Sequence, residues 1–520
     1  MPVALAACQS TEKLSLPEGE IIGASDVVGH RLRDGARVEI APDNWERKKI
    51  VIVGGGVAGL AAARRLLQSG VEDFVLLELE KDAGGTARSG QSPLISYPWG
   101  AHYLPAPMKE DAGLVELLDE MGILEGRDKD GEPMVAEQFL CRDPEERLFF
   151  KGKWYEGLYL RAGASADDLA EFEAFQKAVG RWVAWRDAKG RRAFTLPIAK
   201  CSDDAEVNAL DKITFGEWMN QRGFTSPRLR WFVDYACRDD YGMTLEQTSA
   251  WAGLFYFCSR VKKPGDEAAP LITFPEGNGR FIAHLLDRAK AQVRLGLAAV
   301  ELIPTNAGVD VMAMSYDGER VRGFHAEKVI FAAPHFLTRY LIRDYRDKPP
   351  AQVQEFEYGA WMVANLFLRD RPKDKGFQLA WDNVFYESPS LGYVVATHQR
   401  GIDRGASVFT YYYPLCDDNP REARNRLLGT DQRGWADVTL TDMSRAHFEI
   451  RALVERLDVM RWGHAMIRPR PNFTRSPLLA AAAKPYRNIH FAHTDLSGVA
   501  LFEEAFYHGN RAAEEVMSDE

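Results

Sequence analysis

Gly54, Gly56 and Gly59 have the spacing that a dinucleotide pyrophosphate requires, and Glu78 follows 24 residues after the first of them. In that pattern Gly54 permits a tight turn, Gly56 lets the backbone approach a phosphate, and Gly59 lets a helix lie close on a strand. The helix that opens behind the glycines presents unpaired N–H groups and the positive end of its dipole to phosphate oxygens. Glu78 is placed to accept hydrogen bonds from both hydroxyls of a ribose. The setting makes the motif specific. The β-branched run Ile50 to Val53 enters the glycines directly, an Ala- and Leu-rich helical stretch follows, and a second apolar strand ends on Glu78. A dinucleotide containing ADP is the expected ligand. A second glycine turn runs from Gly84 through Gly85, Thr86 and Arg88; it offers backbone N–H groups and a guanidinium to the same pyrophosphate, with an ordinary loop as the alternative.

The elements that must position these residues alternate between helical and strand periodicity. Leu169, Phe172, Phe175 and Val179 fall at helical spacing within an aromatic-rich region, residues 111–270, where aromatic stripes are expected to be mostly core. From 293 onward the pattern turns to strands. Val293 to Leu297 and Ala299 to Ile303 are apolar, Val309 to Met314 and Val321 to Phe324 read as a hairpin, and Lys328 to Ala333 ends before Pro334. Residues 358–368 and 406–415 are strand-like, and Ile489 to Ala492 is a short strand. A loop from His493 to Val499 then leads into a helix beginning near Phe502, a second helix N-terminus suited to a polar ring carbonyl or a phosphate.

A chain of 520 residues with 46% apolar content can bury a sizeable core in two or more domains. The net charge of −10 argues against nucleic acid as a partner. Six scattered cysteines form no CxxC and no metal-ligand cluster, so buried or free thiols are expected and a metal is not. Leu5-Ala6-Ala7-Cys8 has the residues of a bacterial lipoprotein cleavage site, but only seven residues precede Cys8. Two readings stay open: a signal lying upstream of Met1, which would make Cys8 a lipid anchor and place the protein in the periplasm or on a membrane, or a chance match in a cytoplasmic protein. Residues 12–47 are polar and read as an extension over the domain surface.

The glycine motif, the GGTARS turn, Trp99-Gly100-Ala101-His102-Tyr103 and the C-terminal ALFEEAFYHGNRAA together resemble the flavin-containing amine oxidase superfamily, which includes protoporphyrinogen oxidases and carotenoid desaturases. Phe274 to Gly279 resembles that family's Pro-x-Gly-Gly turn, and Lys328 to Pro334 its strand returning to the cofactor domain. The resemblance implies an α/β fold of GR2-type flavoprotein architecture, in which an α+β substrate domain is inserted discontinuously into a Rossmann-like FAD-binding domain. The corresponding division gives 1–47 as N-terminal extension, 48–110, 271–345 and 461–520 as FAD-binding domain, and 111–270 and 346–460 as substrate domain. FAD is expected to bind noncovalently and extended, its pyrophosphate on the Gly54 turn in place of a nicotinamide cofactor. By the same resemblance Val300 would meet the adenine through its backbone, the backbone near Phe502 would face the flavin pyrimidine, and Asp495 is the nearest acid for the ribityl chain. The Gly100-Ala101 turn would bring His102 near the ring as the leading catalytic candidate; a structural histidine is the alternative.

Three departures from the family bear on the chemistry. Thr86 stands where amine oxidases usually place an arginine, Leu501 stands in place of a cage tyrosine, and Gly359 to Leu368 contains no lysine. The flavin would accept a hydride equivalent from a C–H bond beside nitrogen or another activating group of a small organic substrate, with oxygen or a quinone as electron acceptor. An amine is the first expectation. A desaturase or isomerase acting on C–C bonds of an apolar substrate is the second, and a non-catalytic flavin-binding partner protein the third. Arg238-Asp239-Asp240-Tyr241 suits a cationic or polar substrate or, alternatively, a buried ion pair between domains. Tyr411 to Tyr413 line a pocket on alternate faces or pack, and Trp462-Gly463-His464 resembles the segment leading back toward the flavin.

Overall fold

The computed structural model describes residues 16–373, 375–416 and 419–518; Cys8 lies outside them. Ile50 to Val53 and Phe74 to Leu77 are apolar without alternation, as strands covered on both faces must be. They pair in parallel, Val51 opposite Val75 and Ile52 opposite Leu76. Val293–Arg294 adds a parallel strand on one side and Val321–Phe331 on the other. The upper end of Val321–Phe331 also takes Ile489–Phe491 in parallel, while its lower end continues into the antiparallel strands Val309–Ser315 and Leu297–Pro304.

One face of this sheet, through Ile50, Ile52 and Leu76, packs on the motif helix Val57–Gln68, on Gly279–Ala289 and on the C-terminal helix Phe502–Ser518. The two longest of these helices meet where Gly509 lies on the motif helix: a Cβ there would come within 2.2 Å of the Ala58 carbonyl oxygen. The opposite face, Val51, Val53, Val75 and Leu77, is covered by the strands from 297 to 324 and by residues 341–358.

A second, mixed sheet of eight strands runs in the order Ile21–Gly23, Val454–Ile467, Tyr358–Leu368, Ser407–Leu415, Gly392–Val395, Asp382–Phe385, Glu146–Phe150 and Lys153–Glu156. Period-two alternation divides its long central strands. Met362, Ala364, Leu366, Tyr411 and Phe409 face the helices Pro420–Gly429 and Gln432–Met443. Trp361, Val363, Tyr412 and Val408 face Tyr97 and Trp99. A helical layer, chiefly Ala166–Ala184, Pro227–Tyr241 and Ala250–Cys258, buries Phe172, Phe175, Trp218, Trp251 and Phe255, so the aromatic stripes are mostly core.

The chain is thus a mixed α/β protein in which segments from both ends and the middle build one sheet. Four details differ from the sequence reading. Val454–Ile467 is one strand of the mixed sheet, so the expected boundary at 460/461 falls inside it. Ala112–Glu120 packs Leu114, Leu117 and Leu118 into the helix layer of the parallel sheet, although 111 was the expected start of the other domain. Val321–Phe331 is a single strand across the polar stretch His325 to Lys328, because His325 stacks on Trp45 at 4.4 Å and reaches Asp310 at 2.7 Å. Residues 21–33 are not a surface extension: Ile21–Gly23 is an edge strand, and Val28 and Leu32 are buried.

Candidate active site

The glycine turn forms as its spacing requires. Gly54 adopts φ +106°, open to glycine and to few other residues, and its N–H donates to the Leu77 carbonyl at 2.9 Å. A Cβ on Gly59 would sit 1.9 Å from the Gly54 carbonyl oxygen, so the helix can lie this close only without one. Gly56 is different. Its φ is −74°, and a Cβ there would meet nothing within 4 Å. The space in front of Gly56 is therefore a cradle that any side chain would fill. No side chain caps the motif helix, leaving its first N–H groups for an anion. Gly84 donates to the Gly55 carbonyl at 2.8 Å and Gly85 comes against Gly56, so the two glycine turns face one another.

At the tip of its strand the buried Glu78 accepts from the N–H groups of Gly55 and Glu80, each at 2.7 Å. Burial raises its pKa against those bonds, and each oxygen keeps a lone pair for a hydroxyl donor. A cradle, a bare helix end and a buried carboxylate at the strand tip fit a dinucleotide. Val300 is the extra residue of a bulge in its strand, where ladder pairing lapses between Ala299 and Glu301; its carbonyl accepts from Arg346 at 3.1 Å. Arg88 is not brought to the cradle by any contact. Its guanidinium lies 5.2 Å from the Trp462 ring, 3.7 Å from the Glu80 carboxylate and 3.4 Å from the Met460 sulfur. Thr86 acts through its carbonyl, which accepts from the Ala101 N–H at 2.9 Å and lies 2.3 Å from where a Gly100 Cβ would be.

The loop before the C-terminal helix is pinned from within. The Thr494 hydroxyl donates to the Val499 carbonyl at 2.7 Å and accepts from the Leu501 N–H at 3.0 Å. Asp495 is buried, and its oxygens accept from the His335 N–H at 2.8 Å and the Tyr358 hydroxyl at 2.5 Å and lie 3.0 Å from His493. Burial would raise its pKa, but the charge of His493 and these donors outweigh it and hold the carboxyl below its ordinary range. Asp495 thus fastens this loop to the mixed sheet and to the turn that follows Val321–Phe331, a role its expected ribityl contact did not include. Phe502 opens the helix and is buried against Phe281. Glu504, one turn of helix in, accepts from the Ile198 N–H at 2.7 Å and from the Ser497 hydroxyl, which also meets His508 at 2.8 Å.

Burial pushes Glu504 up to about 8, above its unfolded value. A carboxyl raised in this way stabilises the fold fully below the unfolded pKa, and that contribution is lost as pH rises through about 8. In chemical denaturation between pH 6 and 9, Glu504 should contribute on the order of 3 kcal/mol to the fall in stability, and Glu504→Gln should remove that part of it.

Above the Gly100-Ala101 turn, His102 stacks on Tyr412 at 4.6 Å and tilts against Trp381 at 5.4 Å. Its Nδ1 faces the Gly100 carbonyl at 3.2 Å, which also accepts from the Tyr412 hydroxyl at 2.9 Å. Because a carbonyl only accepts, Nδ1 carries the proton and Nε2 is left as an acceptor. Burial lowers the ring to about 4, so His102 is neutral at neutral pH.

Beside it four carboxylates converge from three distant segments. The Tyr103 hydroxyl reaches Asp239 at 3.3 Å and Asp240 at 3.4 Å, and the Tyr235 hydroxyl reaches Asp382 at 3.2 Å. Glu146 lies close enough to repel Asp382. Burial, then the charge of Asp240, pushes Asp239 up to about 7; burial, then Glu145, pushes Glu146 to about 7; burial, Asp239 and Glu146 raise Asp382 well above its ordinary range. The Arg238-Asp239-Asp240 run is split between two directions. Arg238 turns away to Asp234 and to the carbonyls of Ser388, Pro389 and Ser390, and Arg260 reaches Asp240 at 3.6 Å and Glu503 at 3.4 Å. Among the described residues, Asp239, Asp382 and Glu146 form no ion pair.

These three, with His102, Tyr103 and Tyr256, are half-buried. Carboxylates set among aromatic faces are groups that attract an organic cation. Of Tyr411 to Tyr413 only Tyr412 joins this cluster; Tyr411 donates to Asp442 on the far face. A hollow of about 360 Å³ at Phe149, Lys151, Phe385 and Arg445 holds none of these residues. Cys141, Cys201, Cys237 and Cys258 are free thiols, no group of described residues could hold a metal, and no described helix is long and apolar enough to cross a membrane.

The family model for flavin-containing amine oxidoreductase matches residues 57–517. The structure of putrescine oxidase bound to putrescine superposes with a TM-score of 0.66 at 15% identity, covering 91% of this chain and 100% of that one. A fatty acid isomerase from P. acnes superposes with a TM-score of 0.62 at 15% identity, covering 92% of this chain and 99% of that one. A Baeyer–Villiger monooxygenase of Penicillium patulum is 49% identical over 45 residues, a match that spans 9% of this chain and 7% of that relative.

Proposed function

Because the chain belongs to the flavin-containing amine oxidoreductase family, we propose that it is an FAD-dependent oxidoreductase that takes a hydride equivalent from the carbon beside nitrogen of an organic amine. On this reading the parallel sheet and its helices are the FAD-binding domain, and the mixed sheet with its helical layer is the substrate domain. The Gly56 cradle and the motif helix hold the pyrophosphate, Glu78 the adenosine ribose, the Val300 backbone the adenine, and the backbone at Phe502 the pyrimidine edge of the ring, all without a covalent bond. Bound there, the flavin supplies the two-electron acceptor, which passes its electrons on to oxygen.

The single observation that carries the amine is the unpaired carboxylate wall of Asp239, Asp382 and Glu146 beside Trp381, Tyr412 and His102. An ammonium entering this space meets carboxyls that form no ion pair, of which Asp239 and Glu146 ionise near pH 7, and aromatic faces that favour a cation. The neutral amine is the form that can release hydride. Asp239 Oδ2, at the Tyr103 hydroxyl and held near neutrality, is placed to accept the ammonium proton. His102, neutral and fixed through Nδ1, presents Nε2 as an acceptor that orients the substrate and does not repel it.

The second reading, a flavin isomerase or desaturase acting on C–C bonds, is favoured by Leu501 in place of a tyrosine and by a Tyr358–Leu368 strand without lysine. It is consistent with the fold shared with the fatty acid isomerase. One pair of measurements separates the two. Acid precipitation of the purified protein should leave the yellow colour in the supernatant with the mass of FAD. Aliphatic amines should then drive oxygen consumption. Conversion of unsaturated fatty acids without oxygen uptake would favour the second reading, and a colourless protein would remove both.

A further inference from the structure

Residues 18–33 precede the span that the family model matches, yet they touch both sheets. The Leu457 N–H donates to the Glu18 carbonyl and the Val459 N–H to the Glu20 carbonyl, both at 2.9 Å, and the Ala24 N–H donates to the Arg461 carbonyl at 3.3 Å. The Glu20 carboxylate adds an ion pair to Arg456 at 2.6 Å. This is an edge strand of the mixed sheet. The chain then crosses to the other sheet beside Arg88, since a Cβ on Gly23 would lie 3.0 Å from its Nη2.

The landing point is the ribose end of the glycine motif. The Ser25 N–H donates to Glu80 Oε1 at 2.7 Å, the Glu80 N–H donates to Glu78 Oε1 at 2.7 Å, and Glu78 Oε2 accepts from the Gly55 N–H at 2.7 Å. Three hydrogen bonds thus run without a break from the crossing segment to the turn that faces the phosphates. Beyond Ser25, helix Asp26–Arg33 buries Val28 and Leu32 in the core that holds Val51, Val53, Val75 and Leu77. His30 of this helix lies close enough to repel His464, which in turn feels Asp495 of the loop before the C-terminal helix. The segment therefore reaches from the carboxylate at the ribose end toward that loop.

We propose that residues 18–33 are a strap that closes the dinucleotide groove and retains the cofactor by tying both sheets across it. The proposal rests on the reading that the Gly56 cradle holds FAD, and goes beyond it by assigning cofactor retention to a segment outside the family's matched span. A ligand held only by hydrogen bonds and packing leaves at the rate its enclosure opens, so a bridge across the groove acts on the off-rate. Glu80 is the link: it accepts from the strap with one oxygen and lies beside Arg88 with the other, so the strap, Arg88 and Glu78 form one connected edge of the site.

The test uses two full-length variants. Ser25→Pro removes the N–H that bonds Glu80 at a residue whose φ, −71°, already suits proline, and Leu32→Ala loosens the docking of the helix. Flavin release on dilution, followed by the fluorescence of freed FAD, should be about tenfold faster in Ser25→Pro, the effect of losing one hydrogen bond to a charged acceptor. It should be faster still in Leu32→Ala. The flavin-free form of Ser25→Pro should melt close to the parent. Release within twofold of the parent in both variants would overturn the strap while leaving the cofactor reading intact. A parent protein that takes up no FAD would overturn both.

Discussion

Gly56→Val should give a folded protein that carries no flavin. The substitution costs the fold almost nothing: φ −74° is open to every residue, and the new Cβ meets no atom within 4 Å. Replacing a glycine at such a position even stabilises slightly, by about 0.5 kcal/mol, through the unfolded chain. The same isopropyl group occupies the cradle, where a phosphate must come within contact distance of the backbone. Displacing it forfeits the helix N-terminal N–H bonds, so affinity should fall at least about a thousandfold, roughly 4 kcal/mol. Gly59→Ala is the contrasting case. Its Cβ would lie 1.9 Å from the Gly54 carbonyl oxygen, so helix and turn must part and the fold itself should suffer by several kcal/mol. Far-ultraviolet circular dichroism and melting, set against visible absorbance, distinguish the two: Gly56→Val loses colour alone, Gly59→Ala loses both. Retained colour in Gly56→Val would place the cofactor elsewhere.

Asp239→Asn and Glu146→Gln should each lower kcat/KM for a cationic amine by about 30-fold to 1000-fold, the 2–4 kcal/mol expected when one partner of a buried charge contact is removed. The loss should fall mainly on KM, because the charge contact exists before any bond to hydrogen breaks. The pH profile carries the sharper sign. Asp239 and Glu146 titrate near 7, so kcat/KM for an ammonium substrate should rise through that range as the wall ionises, then fall when the amine itself loses its charge. Asp239→Asn should remove much of the lower limb and leave the upper one. A neutral apolar substrate should show neither limb. His102→Gln should lower the rate without moving either limb, because burial already keeps the ring uncharged above about 4.

The glycine motif was legible because its determinants are local. The Gly54 turn, the motif helix and the strand to Glu78 are consecutive, and each glycine answers to one geometric demand visible in the spacing. The strands at 358–368, 406–415 and 489–492 and the helix from Phe502 were equally plain, since unbroken or alternating apolar runs report their own burial. The cluster of carboxylates and aromatic rings was not. Tyr103, Glu146, Tyr235, Asp239, Asp382 and Tyr412 are scattered over more than 300 positions and meet only because Asp382–Phe385 pairs in parallel with Glu146–Phe150 against the helix Pro227–Tyr241.

Nor does periodicity reveal which charged neighbours part company. Arg238 and Asp240 are both buried two residues apart on one helix, and only their partners at 388–390 and 260 show that Asp239 is left without an ion pair. The edge strand at Ile21–Gly23 escaped notice for another reason: three residues beside glycines are too short to carry a pattern. Arg88, read as a phosphate contact from its place after two glycines, is tied to Glu80 and Trp462 because the mixed sheet closes over it.

The most direct measurement is anaerobic mixing of the purified protein with a short aliphatic diamine, followed through the visible absorbance of its flavin. The carboxylate wall predicts that the absorbance bleaches within seconds, and that a neutral analogue of the same length, such as a diol, leaves it unchanged. A flavin that no amine bleaches but that an unsaturated fatty acid perturbs would contradict the account, and would make the aromatic faces, not the carboxylates, the residues that select the substrate.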